Sequence, residues 1–153
     1  MYAPLSAGDL CTRDTIVAQR MTSLIEAARL MREHHVGSLV IVEKSPGGQV
    51  PVGVITDRDL VTAVLASDVD VHALWVDDVA NAEPVTVREQ ASMFDALALM
   101  RTKGVRRVIV TDERGLLQGV LALDDVIEAV AEQMQAISKA LTGGRSVETL
   151  RRP

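Results

Sequence analysis

Gly53-Val54-Ile55-Thr56-Asp57-Arg58-Asp59-Leu60 and Gly119-Val120-Leu121-Ala122-Leu123-Asp124-Asp125-Val126 are two versions of one phrase, 66 residues apart. Each joins an apolar run to a stretch opened by acidic residues, the pattern of a strand feeding a helix. The correspondence extends outward along the chain. Before the loop Ser45-Pro46-Gly47-Gly48 the offset is 69: Asp9-Leu10 falls on Asp78-Val79, Ser23 on Ser92, Ala27 on Ala96, Leu30-Met31-Arg32 on Leu99-Met100-Arg101 and Val36 on Val105. After the loop, Asp59 meets Asp125 and Ala63-Val64 meets Ala129-Val130, so the first copy carries three extra residues there. Self-similarity over this length makes the chain two copies of one supersecondary unit.

Each unit reads β-α-β-β-α. A short strand (Ile16-Val17; Val85-Thr86-Val87) precedes a helix that starts near Ser23 or Ser92. Ser23-x-x-Glu26 and Ser92-x-x-Asp95 have the capping-box form, which satisfies two orphan donors reciprocally. Leu24, Ala27, Ala28 and Met31 share one helical face, as do Met93, Ala96, Leu97 and Met100. β-Branched runs follow (Leu39 to Val42; Val108 to Val110), then turns at Ser45-Pro46-Gly47-Gly48 and Asp112-Glu113-Arg114-Gly115. A second strand (Val52 to Ile55; Leu117 to Leu121) leads to a closing helix from about residue 57 and about residue 124. The expected boundaries are repeat 1 over 5–67, a connector over 68–77, repeat 2 over 78–134, and a C-terminal helix extension and tail over 135–153.

The last helix continues where its counterpart stops near Leu65-Ala66-Ser67. Val126, Ile127, Val130, Met134, Ile137 and Leu141 keep one face, and Gly143-Gly144 is expected to end it. The distal part has no equivalent in copy one, so an exposed stripe there is expected to be a partner site, unless it folds back on its own chain.

The duplicated unit resembles a CBS domain, on the strength of the two closing phrases at matching positions. Two in tandem are similar to a Bateman module, over roughly residues 5 to 134. The resemblance implies an α/β fold, two β-α-β-β-α repeats related by a pseudo-twofold axis, here with an extended C-terminal helix. It implies a regulatory protein, not an enzyme, that binds an adenosine-type ligand in clefts between the repeats. AMP, ADP and ATP are the leading classes, with S-adenosylmethionine or NAD as further members, and the ligand acts as a regulator rather than a cofactor. Modules of this kind pair through their helices, so a homodimer and an unidentified regulated protein are the expected partners. The rival reading is a ligand-independent dimerisation module without a nucleotide site.

The residues carry chemistry of their own. Thr56 offers a hydroxyl, Arg58 a guanidinium suited to phosphate oxygens, and Asp59 a carboxylate able to accept from a ribose diol. Backbone N–H groups at the strand-to-helix turn would face an anion. By the resemblance, Thr56 and Asp59 match the phosphate-side hydroxyl and the ribose-binding aspartate. Asp125 repeats the aspartate, but Ala122 replaces the hydroxyl. Thr56-x-x-Asp59 also has the form of a helix cap, which needs no ligand. Arg106 and Arg107 start a strand where Gly37-Ser38 stand in copy one, and are read either as phosphate-binding or as solvated charges. Ile16, Val36 and Val54 are the expected adenine-pocket walls, or plain core.

Composition excludes several other classes. Forty-eight per cent hydrophobic residues supply a core, and a net charge of −5 argues against nucleic acid or an anionic membrane surface as partner. Tyr2, Trp75 and Phe94 are too few aromatics for a base-stacking platform. One cysteine, Cys11, gives no intrachain disulfide and reads as a small core hydrophobe. With no apolar h-region near the start and no long apolar run, a cytoplasmic location is expected. The pair His34-His35 lacks metal-ligand spacing and reads as the end of a helix; no metal is expected, and His72 stands alone. Gly48 to Gly53 has phosphate-loop glycine spacing but Val54-Ile55 after it, and no catalytic arrangement can be assembled.

Overall fold

The computed structural model describes residues 4–151, with side chains as far as residue 144. Tyr2 and the last two residues of the tail lie outside the described residues. The first repeat holds α1 (Ala7–Leu10), β1 (Val17–Ala18), α2 (Leu24–His34), β2 (Ser38–Ser45), β3 (Gly48–Thr56) and α3 (Asp57–Asp59). The second holds α4 (Val76–Val79), β4 (Thr86–Arg88), α5 (Met93–Lys103), β5 (Arg107–Thr111), β6 (Leu117–Ala122) and α6 (Leu123–Arg151). The repeated β-α-β-β-α order is present as expected, preceded in each copy by a one-turn helix that the sequence reading did not identify. The stretch 68–77 contains a 3-10 turn, Val71–Ala73, and the start of α4.

Each repeat builds one three-stranded sheet, β1-β2-β3 or β4-β5-β6, with the first pair parallel and the second antiparallel. The register shifts at Ile41/Val42 and again at Val110/Thr111, the same place in each copy. Leu39 and Ile41 pack under α2, while Val40 and Val42 meet Ile109 between the sheets. Both faces of β2 are therefore covered, which is why 39–42 is apolar throughout instead of alternating. Ser23 and Ser92 cap α2 and α5 by accepting from the N–H groups of Glu26 and Asp95, at 3.1 and 3.0 Å. Only that half of the expected capping box forms at these two serines. Ala28 is exposed, not part of the buried face, because α2 buries only the narrower row Leu24, Ala27 and Met31.

The lead segments cross over. Ala7, Leu5, Leu10 and Cys11 pack into the core of the second repeat, with Met93, Met100 and Leu121. Val76, Val79 and Ala80 pack into the core of the first, with Leu24, Met31 and Ile55. Two matched pairs of hydrogen bonds fix the exchange: Val54 and Asn81 donate to each other's carbonyls at 3.0 and 2.9 Å, and Thr12 and Val120 do the same at 2.9 and 3.0 Å. Burial pushes the Cys11 thiol above its ordinary pKa, consistent with its place against that core.

Two closing helices depart from expectation. After α3 the first copy widens into a π-type turn over Leu60–Leu65, closed by the Ala66 N–H on the Val61 carbonyl. In the second copy α6 runs straight through Gly143 and Gly144. Neither of these glycines adopts the left-handed conformation that would terminate a helix, and a helix-interior glycine costs only about 0.5–1 kcal/mol relative to alanine. The distal stripe does not fold back: Met134, Ile137 and Leu141 are 66, 61 and 66% exposed. Val126, however, is buried in the repeat's own core and leaves the stripe.

Gly53 and Gly119 sit at the two crossing points. A Cβ on Gly53 would lie 2.7 Å from the Asn81 carbonyl oxygen, and one on Gly119 would lie 2.6 Å from that of Thr12. Gly53→Ala and Gly119→Ala are each expected to destabilise the protein by about 1–3 kcal/mol in urea denaturation, since backbone must move. Gly143→Ala meets nothing within 4 Å and is expected to stabilise by about 0.5–1 kcal/mol. Equal midpoints for Gly53→Ala and the parent would contradict the close crossing.

Candidate functional site: two composite clefts

Because the lead segments cross, each closing phrase faces residues of the other repeat, and a cleft opens at each junction. The larger, of about 470 Å³, is lined by Thr56, Arg58 and Asp59 together with Asn81, Glu83, Val85, Val105, Arg106 and Arg107. Its apolar floor is Val40, Val54, Ile109 and Val120. The smaller, of about 330 Å³, is lined by Ala122, Asp124 and Asp125 with Thr12, Asp14, Ile16, His35, Val36 and Gly37. Ser38, Val40, Arg107 and Val120 border both clefts.

The nine residues singled out in the sequence thus divide. Thr56, Arg58, Asp59, Arg106 and Val54 meet in the larger cleft, and Ile16, Val36 and Asp125 meet in the smaller. Arg107 reaches both. Ile16 and Val36 are therefore not walls beside Asp59; that place is taken by Val85 and Val105, one offset further along. The signal for them was present, since Val85 aligns with Ile16 and Val105 with Val36. What the alignment omits is that each wall serves the opposite repeat's phrase.

The start of α3 is closed on itself. Thr56 N–H donates to Asp59 Oδ2 at 2.8 Å, and Asp59 N–H donates to Thr56 Oγ1 at 3.1 Å, the full reciprocal cap. Arg58 N–H donates to the Asp57 carboxylate at 2.8 Å, and Asp57 N–H to the Gly37 carbonyl at 2.9 Å. The backbone donors expected to face an anion are thus already engaged, and three α-helical residues add little dipole. Positive charge in this cleft comes from side chains: Arg58, Arg106 and Arg107, all exposed and able to reorient. Thr56 keeps its hydroxyl proton for donation, and Asp59 keeps Oδ1.

In the smaller cleft Asp125 accepts from Ala122 N–H at 2.9 Å, the same bond that Asp59 makes. Ala122 has no hydroxyl to return it. Arg106 lies 3.7 Å from Asp124 in an exposed pair, which holds the guanidinium only weakly. His35 ends α2 in the left-handed conformation, φ 52°, where copy two has Gly104. No group of three or more His, Cys, Asp or Glu side chains suited to a metal occurs among the described residues. Nor, among them, is any helix long and apolar enough to cross a membrane.

With this geometry in view, similarity to known proteins is informative. The model of the CBS domain matches residues 7–66 and 76–132. An uncharacterized protein of Methanopyrus kandleri is 33% identical over 124 residues, 81% of this chain, which spans 62% of that relative's length. A CBS domain protein from Pyrobaculum aerophilum, solved in complex with AMP, superposes with a TM-score of 0.69 at 26% identity, covering 78% of this chain and 88% of that one. Hypoxic Response Protein I, solved with two coordinated zinc ions, gives a TM-score of 0.69 at 28% identity, covering 80% and 97%.

The Thr56–Asp59 cap makes a stability prediction independent of any ligand. Asp59→Ala is expected to cost about 0.5–2 kcal/mol of unfolding free energy, as losses of helix caps do. Asp125→Ala removes the same single bond, since the Asp59 N–H that donates to Thr56 is backbone and stays in the alanine variant, so the two losses are expected to be of similar size. Thermal or urea unfolding of the two variants checks this, and a several-fold difference between them would contradict it.

Proposed function

The chain belongs to the CBS-domain family, with two such domains in tandem, and from that premise we propose that it is a non-catalytic regulatory module for an adenosine-type ligand. The observation that carries this reading is the larger cleft: apolar walls, two carboxylates and three arginines converge there from both repeats. Val54, Val85 and Val105 offer an adenine-sized apolar slot, Asp59 an acceptor for the ribose hydroxyls, and Thr56 with the arginines a hydroxyl and cations for phosphate. AMP, ADP and ATP fit that set of groups, and the AMP complex of the Pyrobaculum aerophilum relative supports it. A ligand touching both repeats regulates by favouring one of their arrangements, since only differential affinity shifts an equilibrium.

The reading extends to assembly. Ile127, Val130, Met134, Ile137 and Leu141 follow steps of three and four along α6, and each is at least 40% exposed. That spacing is the seam of a two-helix coil, and the flanking Ala131, Gln133, Ser138 and Ala140 carry no charge to oppose a second copy. Phe94, 69% exposed on α5, is a further large apolar side chain open to solvent. A homodimer through these helices covers the seam, and the dimer presents the clefts to a regulated protein.

Two measurements test the reading. In a thermal-shift series with AMP, ADP, ATP, NAD and S-adenosylmethionine, at least one nucleotide is expected to raise the midpoint. At a hundredfold excess over its dissociation constant a ligand adds about 2.7 kcal/mol. Asp59→Ala is expected to lose about 1.5–3 kcal/mol of binding free energy in calorimetric titration, the range for a charge-assisted hydrogen bond. Silence with every compound at millimolar concentration favours the ligand-independent assembly module instead. For assembly, light scattering is expected to show a dimer for the full chain and a monomer after truncation at Gln133. A full-length monomer at micromolar concentration contradicts the dimer, and a dimeric truncation frees the extension for another partner.

A further inference from the structure

The two clefts are built from equivalent positions, so their differences are informative one by one. At the apolar and ribose-facing positions they agree: Val54 matches Val120, Val85 matches Ile16, Val105 matches Val36, and Asp59 matches Asp125. At the phosphate-facing end they are opposed. Where the larger cleft has Arg58 the smaller has Asp124, where it has Arg106 the smaller has Gly37, and Thr56 becomes Ala122. The lead segments do not compensate, since Glu83 on one side matches Asp14 on the other.

With histidine uncharged, the larger cleft sets Arg58, Arg106 and Arg107 against Asp59 and Glu83. The smaller sets Arg107 alone against Asp14, Asp124 and Asp125. Arg107 lies where Ser38 lies in copy one, and both border both clefts, so the arginine is shared across the pseudo-twofold. One guanidinium serves one phosphate at a time. A phosphate monoester carries about −1.5 to −2 at neutral pH. It is attracted at one end of the molecule and repelled by carboxylates at the other.

We infer that phosphate-bearing adenosine ligands are confined to the Asp59 cleft, one per chain, and that the charge at the paired positions 58 and 124 decides this. The inference rests on the adenosyl reading of the clefts above and adds to it a rule of selection. Its determinants are Arg58 and Asp124, equivalent by the repeat and both exposed, so both can be exchanged without disturbing the core. The Arg106–Asp124 pair at 3.7 Å does not alter the balance, because it is solvent-screened and leaves Asp14 and Asp125 in place.

Calorimetric titration with AMP on the full chain tests it, using the parent, Arg58→Asp and Asp124→Arg. The parent is expected to take one AMP per chain. Arg58→Asp, which puts at position 58 the charge that the smaller cleft carries at 124, is expected to weaken AMP at least tenfold. Asp124→Arg, which makes the reverse change, is expected to raise the stoichiometry to two. Two AMP per parent chain, unchanged affinity in Arg58→Asp, or a stoichiometry of one in Asp124→Arg each overturns the selection rule while the nucleotide reading stands. No heat with AMP in any of the three proteins, together with silence of the whole thermal-shift series, overturns the nucleotide reading itself. Circular dichroism of the variants confirms that a lost signal is not a lost fold.

Discussion

Four backbone hydrogen bonds, Val54 with Asn81 and Thr12 with Val120, hold the molecule in its working arrangement. They are possible only because Gly53 and Gly119 let a neighbouring carbonyl approach to within 3 Å of where a Cβ would stand. Each bond pair pins the lead segment of one repeat to the inner strand of the other. From that follow the mixed cores, with Ala7 under α5 and Val76 under α2, and the composition of the clefts. Without the crossing, Asp59 would face solvent; with it, Asp59 faces Glu83, Val85 and Val105.

The same crossing sets a division between rigid and adaptable parts. The cleft floors are valines and an isoleucine between two sheets, packed by Val40, Val42 and Ile109 at 5% exposure or less. The rims are charged side chains, exposed arginines at the larger cleft and mainly carboxylates at the smaller. Under the proposed function, a floor of this kind orients a flat apolar ring by shape, while the rim adapts to the charged end that the ring carries. The repeat therefore duplicates the floor almost unchanged and varies the rim, which is where the copies diverge in charge.

Much of this was legible in the sequence, and the reasons are local. Two matching phrases, serine caps three residues before an acid, and a loop that absorbs the length difference all lie within short windows, so the β-α-β-β-α unit could be read directly. The crossing could not. Asp9-Leu10 aligns with Asp78-Val79, but an alignment shows likeness between segments and says nothing about which repeat each one packs against. Hence Ile16 and Val36 were grouped with Val54, whereas the fold groups Val85 and Val105 with it. At the helix start, the Asp57 and Thr56 side chains accept from the Arg58 and Asp59 amides, a use that the strand-to-helix pattern does not display. Gly143-Gly144 is a stop signal in sequence, but neither glycine enters the left-handed region and the helix continues. The distal part of the C-terminal stripe is exposed, in keeping with its having no equivalent in copy one to pack against.

The path from cleft to surface is short. Leu123, the first residue of α6, donates its N–H to the Arg106 carbonyl at 2.8 Å, and Arg106 borders the larger cleft. The residue whose side chain lines the larger cleft thus holds, through its backbone, the root of the helix whose far end presents Met134, Ile137 and Leu141. A bond alone transmits nothing; it must belong to an element with two arrangements that a ligand distinguishes. The two repeats are joined by the crossing bonds, the sheet-to-sheet valines and the exchanged lead segments, so under the proposed function the arrangements a ligand distinguishes differ by a small rotation about that junction. Such a rotation changes the distance from Arg58, on repeat 1, to Arg106 and Arg107, on repeat 2. Under the proposed function, a phosphate bridging those arginines selects the closer arrangement, and regulation is then a matter of geometry between repeats, carried by cations that lie on opposite sides of their junction.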